Sequence, residues 1–201
     1  ATAAVRHVGK LVPERTALLV CDMQELFRPL IHEFPSVMRT CQYLSSVAAE
    51  LGIPTILTEQ YPKAFKNTVP EVMSTLESAG GEVTKFEKSQ FSMVIPEVRA
   101  MLEEKAVQST ILVGIESHVC VQQTALDLLE MGLDVHIPAD GVSSQRVGDR
   151  TPALERMRQS GAFVTSAESI VFMLMRDAKH PKFKAVQKII KAHIQGEQSR
   201  L

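Results

Sequence analysis

No apolar run in this 201-residue chain reaches the roughly 18 residues that a membrane helix needs, because charges interrupt every long hydrophobic stretch. A membrane is therefore not an expected partner. Cysteine is scarce: Cys21, Cys41 and Cys120 form an odd, sparse set, which suits a reducing compartment better than a disulfide framework. Charge of one sign is not in excess either. Twenty-two Lys+Arg against 23 Asp+Glu leave a net −1. Counterion release needs a concentrated basic surface, so nucleic acid is an unlikely partner on overall balance. A secretory n-region and h-region are missing at the start of the chain. Arg6, His7 and Lys10 precede the first acid, Glu14, in a segment too short to establish a transit peptide. The expected location is cytoplasmic, with a mitochondrial address left open.

Metal-ligand spacing is also absent. His7, His32, His118, His136, His180 and His193 show neither His-x-x-x-His nor Asp-x-His, and no CxxC pair occurs. No metal and no cofactor are expected. Gly80-Gly81 precedes a strand pattern instead of following one, so it lacks the context of a phosphate-binding loop.

What the chain does have is ordinary globular composition, 45% hydrophobic and 22% charged. A chain of this length can bury roughly 70% of its unfolded surface, enough for a full core without cross-links. Short β-branched or aliphatic runs alternate with helical patterns from end to end. Strands are predicted at 16–21, 54–58, 82–87, 109–115, 133–137 and 162–165. Helices are predicted at 36–51, 69–79, 96–105, 117–131, 150–160, 168–175 and 181–194. Six strands separated by helices, with hardly a hairpin signal, imply right-handed βαβ units. The expected fold is one α/β domain over 1–201, a Rossmann-like three-layer arrangement with a six-stranded parallel sheet in the order 3-2-1-4-5-6. Its core spans about 14–175, and a basic helix at 181–194 ends it. Val186 and Ile190 lie on an apolar stripe of that helix, which reads as a docked terminal helix with solvated lysines more readily than as an anion-binding face.

In such sheets ligands bind beyond the C-terminal strand ends. The residues there are Asp22, then Glu59-Gln60-Tyr61, Lys88, Glu116–Cys120 and Asp140. With Ser117 as N-cap, Cys120 falls in a first helical turn, where free N–H groups and the dipole favour a thiolate and can hold an oxyanion. The same position also suits a buried structural cysteine. Asp22 can take a thiol proton or cap the following segment. Lys88 can lower a neighbouring thiol pKa, or be a surface lysine. Lys85 competes with it, but strand parity sends residues 85 and 88 to opposite faces. His118, two residues from Cys120, points about 200° around the helix from the sulfur.

The motifs LLVCDMQ at 18–24, EKSQFSM at 87–93 and GIESHVCVQQTALDLLEMG at 114–132 together resemble the isochorismatase-like cysteine hydrolase superfamily. TEQYP at 58–62 and RMRQSGAF at 156–163 resemble its isochorismatase domain-containing subgroup. The resemblance covers about residues 14–190. It implies an Asp22–Lys88–Cys120 triad and a cis peptide before Glu116 that turns the Glu116 and Cys120 backbone N–H groups into an oxyanion hole. It also implies a homo-oligomer. Many relatives would place the lysine at Lys85, whereas the subgroup pattern selects Lys88. A nucleophilic cysteine argues against the vinyl-ether hydrolysis of true isochorismatases. Glu59-Gln60-Tyr61-Pro62 replaces the metal-binding stretch of nicotinamidases. The expected activity is hydrolysis of a small amide or ureido C–N bond through a thioester, with Phe27, Tyr61 and Phe91 as pocket walls. The alternatives are a non-catalytic binding or scaffold protein of the same fold and, with less support, a nuclease.

Overall fold

The structure, a computed structural model, describes residues 8–198; Arg6 and His7 lie outside that range. Strands β1 (Thr16–Cys21), β2 (Thr55–Gln60), β3 (Val83–Lys88), β4 (Ser109–Ile115), β5 (Asp134–Pro138), β6 (Val142–Ser143) and β7 (Phe163–Thr165) form one parallel sheet. Its order is β3-β2-β1-β4-β5-β7, so the six expected strands stand in the expected sequence. The seventh strand was not expected. β6 joins the same edge of β4 as β5, beyond a gap of two residues: β5 pairs with Ser109–Ile111 and β6 with Gly114 and Ile115. A two-residue strand carries no periodicity, so nothing in the sequence marks it.

Helices α1 (Phe34–Leu51), α2 (Pro62–Phe65), α3 (Pro70–Ala79), α4 (Pro96–Glu104), α5 (Gln122–Glu130), α6 (Val147–Gln159), α7 (Ala167–Met175) and α8 (Phe183–Gln198) complete the layers. Alternation along the strands divides the interior. Leu18, Val20, Leu57, Ile111 and Val113 meet Val37 and Leu44 of α1, Val72 of α3, Ile170 of α7 and Val186 of α8. On the other face, Leu19, Cys21, Ile56, Leu112 and Ile137 meet Val98 of α4, Ala125 of α5 and Leu154 of α6. Every β1 residue is buried, as a strand covered on both faces requires. Each fully buried Leu or Ile contributes about 1.5–3 kcal/mol relative to exposure. α8 docks through Val186 and Ile190, which removes the stripe from any ligand-binding role.

Two helices begin differently from expectation by more than a boundary shift of one or two residues. α6 begins at Val147, three residues before the expected Arg150, because Pro152 sits inside the helix and not in its first turn. The segment expected as one helix over 117–131 is a π-helical turn, Ser117–Val121, running into α5. Its N-cap residue is Glu116, and the buried Ser117 hydroxyl has no hydrogen-bond partner among the described residues. Ser117 is thus the first helical residue and caps nothing.

Candidate active site

The site forms where the C-terminal ends of β1, β2, β3 and β4 meet. β1 and β4 come together at the Cys21–Gly114 pair. Gly114 has φ +117°, and a Cβ there would lie 2.1 Å from the Cys21 carbonyl oxygen. Only glycine permits this approach, which brings the residues after β1 beside the turn that follows β4.

Strict alternation would put Asp22 on the face opposite Cys21. Instead Asp22 adopts a left-handed backbone, φ +52°, an uncommon conformation for a side-chain-bearing residue. Its amide donates to the Thr58 carbonyl at 3.2 Å, and its own carbonyl accepts from Gln24 N at 2.7 Å. The carboxylate thereby returns to the Cys21 face. Thr58 Oγ1 donates to Oδ1 at 2.8 Å, and Lys88 Nζ to Oδ2 at 2.7 Å. The side chains of Asp22 and Lys88 are 2% and 0% exposed, a fully desolvated ion pair.

Lys88 is held by more than Asp22. Its ammonium lies 2.6 Å from Gln60 Oε1, 2.8 Å from the Phe91 carbonyl and 3.3 Å from that of Gln90. Gln60 stands opposite Lys88 in the β2–β3 register, so both side chains project from the same face. Lys85 is on the other face, as parity requires. Its ammonium pairs with Glu59 at 3.3 Å, and Glu59 also accepts from Thr68 N and Oγ1 at 2.8 and 2.9 Å. Those bonds commit Glu59 to anchoring the chain after α2.

Cys120 lies in the π-helical turn and is 8% exposed. Its sulfur, the Cys21 sulfur and an Asp22 carboxylate oxygen all lie within 4.8 Å of one another. The Cys120 carbonyl accepts from Thr124 Oγ1 at 2.6 Å, and that hydroxyl accepts from Met93 N at 2.8 Å, joining the turn to the chain after β3. The Ile115–Glu116 peptide is cis. The Glu116 carboxylate accepts from Gln145 N at 2.9 Å. His118 turns away: Nδ1 is 2.9 Å from Ser144 Oγ and Nε2 3.9 Å from Asp149.

Asp22 and Cys120 line a cavity of about 290 Å³, together with Phe27, Phe65, Phe91, Gln60, Ile115, Val119, Glu116 and Gln145. Of the three aromatic walls expected from sequence, Phe27 and Phe91 are there. Tyr61 is not, and 54% of it is exposed. Its left-handed backbone, φ +33°, opens α2 and faces the ring outward, while its amide bonds the Lys88 carbonyl at 2.9 Å. Phe65, one turn later, supplies the wall and stacks on Phe27 at 5.1 Å. Sequence reasoning also missed Thr58 and Gln145, and it named Gln60 only as a strand-end residue, with no contact to Lys88. Alternation from Ile56 would have put Thr58 and Gln60 on the Cys21 face; no comparable signal existed for Gln145 or Phe65.

Burial drives the electrostatics. It raises the Asp22 carboxyl above the usual carboxylate range, while Lys88, Thr58 and Cys120 pull it back in part. Burial opposes the Lys88 ammonium, but the groups of Cys21, Asp22 and Cys120 together hold it protonated, above its ordinary value. Cys21 is pushed well up, by burial first and then by its contact with Cys120. The site therefore holds one fixed cation next to a carboxyl group able to accept a proton. Among the described residues, Cys21, Asp22 and Cys120 are the one trio close enough to share a metal ion. The Lys88 ammonium already occupies Asp22 and would place a positive charge against such an ion.

A family model, the Isochorismatase domain, matches residues 16–169. The secreted isochorismatase effector Isc1 of Phytophthora sojae is 45% identical over 195 residues, covering 96% of this chain and 92% of its own. Isochorismatase domain-containing protein 1 of Salmo salar is 49% identical over 189 residues, covering 94% of this chain and 65% of its own. A solved structure described as the MAR1 ribonuclease from Caenorhabditis elegans is 47% identical with a TM-score of 0.85, covering 90% of this chain and 92% of that one.

Proposed function

The chain belongs to the isochorismatase family of hydrolase fold, and from that premise we propose that it is a cysteine hydrolase of small amide or ureido C–N bonds. The observation that carries the reading is the buried Asp22–Lys88 pair at 2.7 Å with the Cys120 sulfur beside it at the wall of a cavity. Asp22 accepts the Cys120 proton, and the fixed charge of Lys88 holds the carboxyl in position as the proton moves. The thiolate forms a C–S bond to the substrate carbonyl. The oxyanion is held by the Glu116 and Cys120 backbone N–H groups. As the tetrahedral intermediate collapses, the C–N bond breaks and the amine leaves with the proton from Asp22. Water, deprotonated by Asp22, then cleaves the thioester and restores the thiol.

The walls select the substrate's body. Phe27, Phe65, Phe91, Ile115 and Val119 favour an apolar acyl or leaving group, and about 290 Å³, near the lower end for ligand pockets, suits a small molecule. The reading extends to a homo-oligomer in the cytoplasm. Among the described residues no helix is long and apolar enough to cross a membrane, and size-exclusion chromatography with light scattering measures the assembly.

A panel of small amides and ureido compounds tests the reaction with Cys120→Ala as the control. Hydrolysis by the wild type and none by a folded Cys120→Ala variant is the expected result. Turnover retained in that variant refutes the covalent route. Iodoacetamide separates the inert-scaffold alternative: below pH 7 Cys120 should alkylate faster than Cys21 and Cys41, and equal rates favour a scaffold. The description of the C. elegans structure favours a second reading, ribonuclease activity. That reading requires Mg²⁺-dependent RNA cleavage that survives loss of Cys120.

A further inference from the structure

We propose that Cys21 and Cys120 form a peroxide-sensitive thiol pair, with Cys21 resolving an oxidised Cys120 as an internal disulfide. The hydrolase reading gives Cys21 no task. Yet Cys21 ends β1 directly behind the cavity wall, with its sulfur within 4.8 Å of the Cys120 sulfur. The two differ in access. Cys120 borders the cavity, whereas Cys21 is 0% exposed, so a small oxidant entering by the cavity meets Cys120 first. Cys41 lies in α1, in the core on the opposite face of the sheet, and cannot compete.

The chemistry closes with hydrogen peroxide as oxidant. The Cys120 thiolate attacks one peroxide oxygen; the O–O bond breaks, and the departing hydroxide takes up the thiol proton to become water. Cys120 is then a sulfenic acid. The Cys21 sulfur attacks the Cys120 sulfur, the S–O bond breaks, and the hydroxyl leaves as a second water carrying the Cys21 proton. Asp22, within 4.8 Å of both sulfurs, passes that proton. Two thiols and one peroxide yield one disulfide and two waters. Closing the sulfurs to about 2.05 Å requires movement of the Cys120 side chain away from the cavity. The disulfide silences the nucleophile while protecting it from the irreversible sulfinic and sulfonic states. None of this depends on the hydrolase reading, because it needs only a thiol open to the cavity and a second behind it.

The test treats the full-length protein with hydrogen peroxide and follows thiol count, intact mass and a peptide map. In the wild type the three free thiols should fall to one, with loss of two hydrogens and a Cys21–Cys120 linkage. Dithiothreitol should restore all three and the alkylation of Cys120. Cys21→Ser, close in size to cysteine, should instead accumulate sulfinic and sulfonic Cys120, roughly tenfold more than wild type and not recovered by thiol. Cys41→Ala should behave as wild type. Cys21→Ala serves in place of Cys21→Ser should the serine variant not fold. Wild-type Cys120 passing directly to sulfinic acid overturns the proposal. So does a linkage through Cys41, or full thiol recovery in the Cys21 variants.

Discussion

Replacing Lys88 with methionine tests the electrostatic centre of the site. Methionine keeps most of the length and removes the charge, leaving the Asp22 carboxyl buried without its partner. At 2.7 Å and an effective dielectric near 20, the Coulomb attraction is at most about 6 kcal/mol. Desolvation of both groups offsets part of it, and truncating one member of a buried pair costs about 3–5 kcal/mol. Three further acceptors, Gln60 Oε1 and the Gln90 and Phe91 carbonyls, lose their donor as well. Urea unfolding of Lys88→Met at pH 7 should therefore show a loss near the upper end of that range. The pH dependence has a definite sign. Burial already raises Asp22 in the wild type, and removing the ammonium raises it further. A carboxyl with a raised folded pKa gives stability below its unfolded value, near 4, that is lost as pH rises through the folded value. The deficit should thus be largest at neutral pH and shrink toward pH 4. Adding Asp22→Asn should recover at least about 2 kcal/mol by removing the stranded charge. A single-variant loss below about 1 kcal/mol, or no recovery in the double variant, would refute the buried-pair account.

Lys85→Ala should cost less than about 1 kcal/mol and leave Cys120 alkylation unchanged, because the Lys85 side chain is 40% exposed; slowed alkylation would transfer the site role from Lys88 to Lys85. Gly114→Ala should destabilise by about 3 kcal/mol or more in thermal melts, since its Cβ would meet the Cys21 carbonyl at 2.1 Å with φ at +117°; near-wild-type stability would mean that β1 and β4 separate freely. Burial lowers His136 to about 4, and neither ring nitrogen has a hydrogen-bond partner among the described residues. The unfolded chain takes up that proton near 6.5, so stability should fall between about pH 6.5 and 4 by up to roughly 1.4 kcal/mol per pH unit. The slope should be shallower in His136→Leu, and an unchanged slope would assign it to other groups.

Strand parity puts Lys88 and Lys85 on opposite faces, because a two-residue period leaves no choice of face within one strand. The same rule misleads at Asp22. Counting from Cys21 sends its carboxyl to the wrong side, and only the left-handed backbone at that residue brings it back. Phe65 and Gln145 were invisible for a related reason. They stand on a one-turn helix and on the segment before α6, and the directions of both depend on turns that no periodicity encodes. Tyr61 leaves the wall because sequence adjacency to a strand end does not fix which way the next turn faces.

Hydrophobic patterning places the layers and the six longer strands, and it puts Asp22, Lys88 and the Glu116–Cys120 segment at or just past strand ends. Hydrophobic period and strand length are local properties, so they survive translation into a fold. The assembled sheet adds that Gly114 lets β1 and β4 close to contact, that Gln60 holds Lys88, and that a second sulfur stands behind Cys120. Those are encounters between segments distant in sequence, with side-chain directions set by backbone turns at Asp22 and Tyr61, and their geometry exists only once the sheet has assembled.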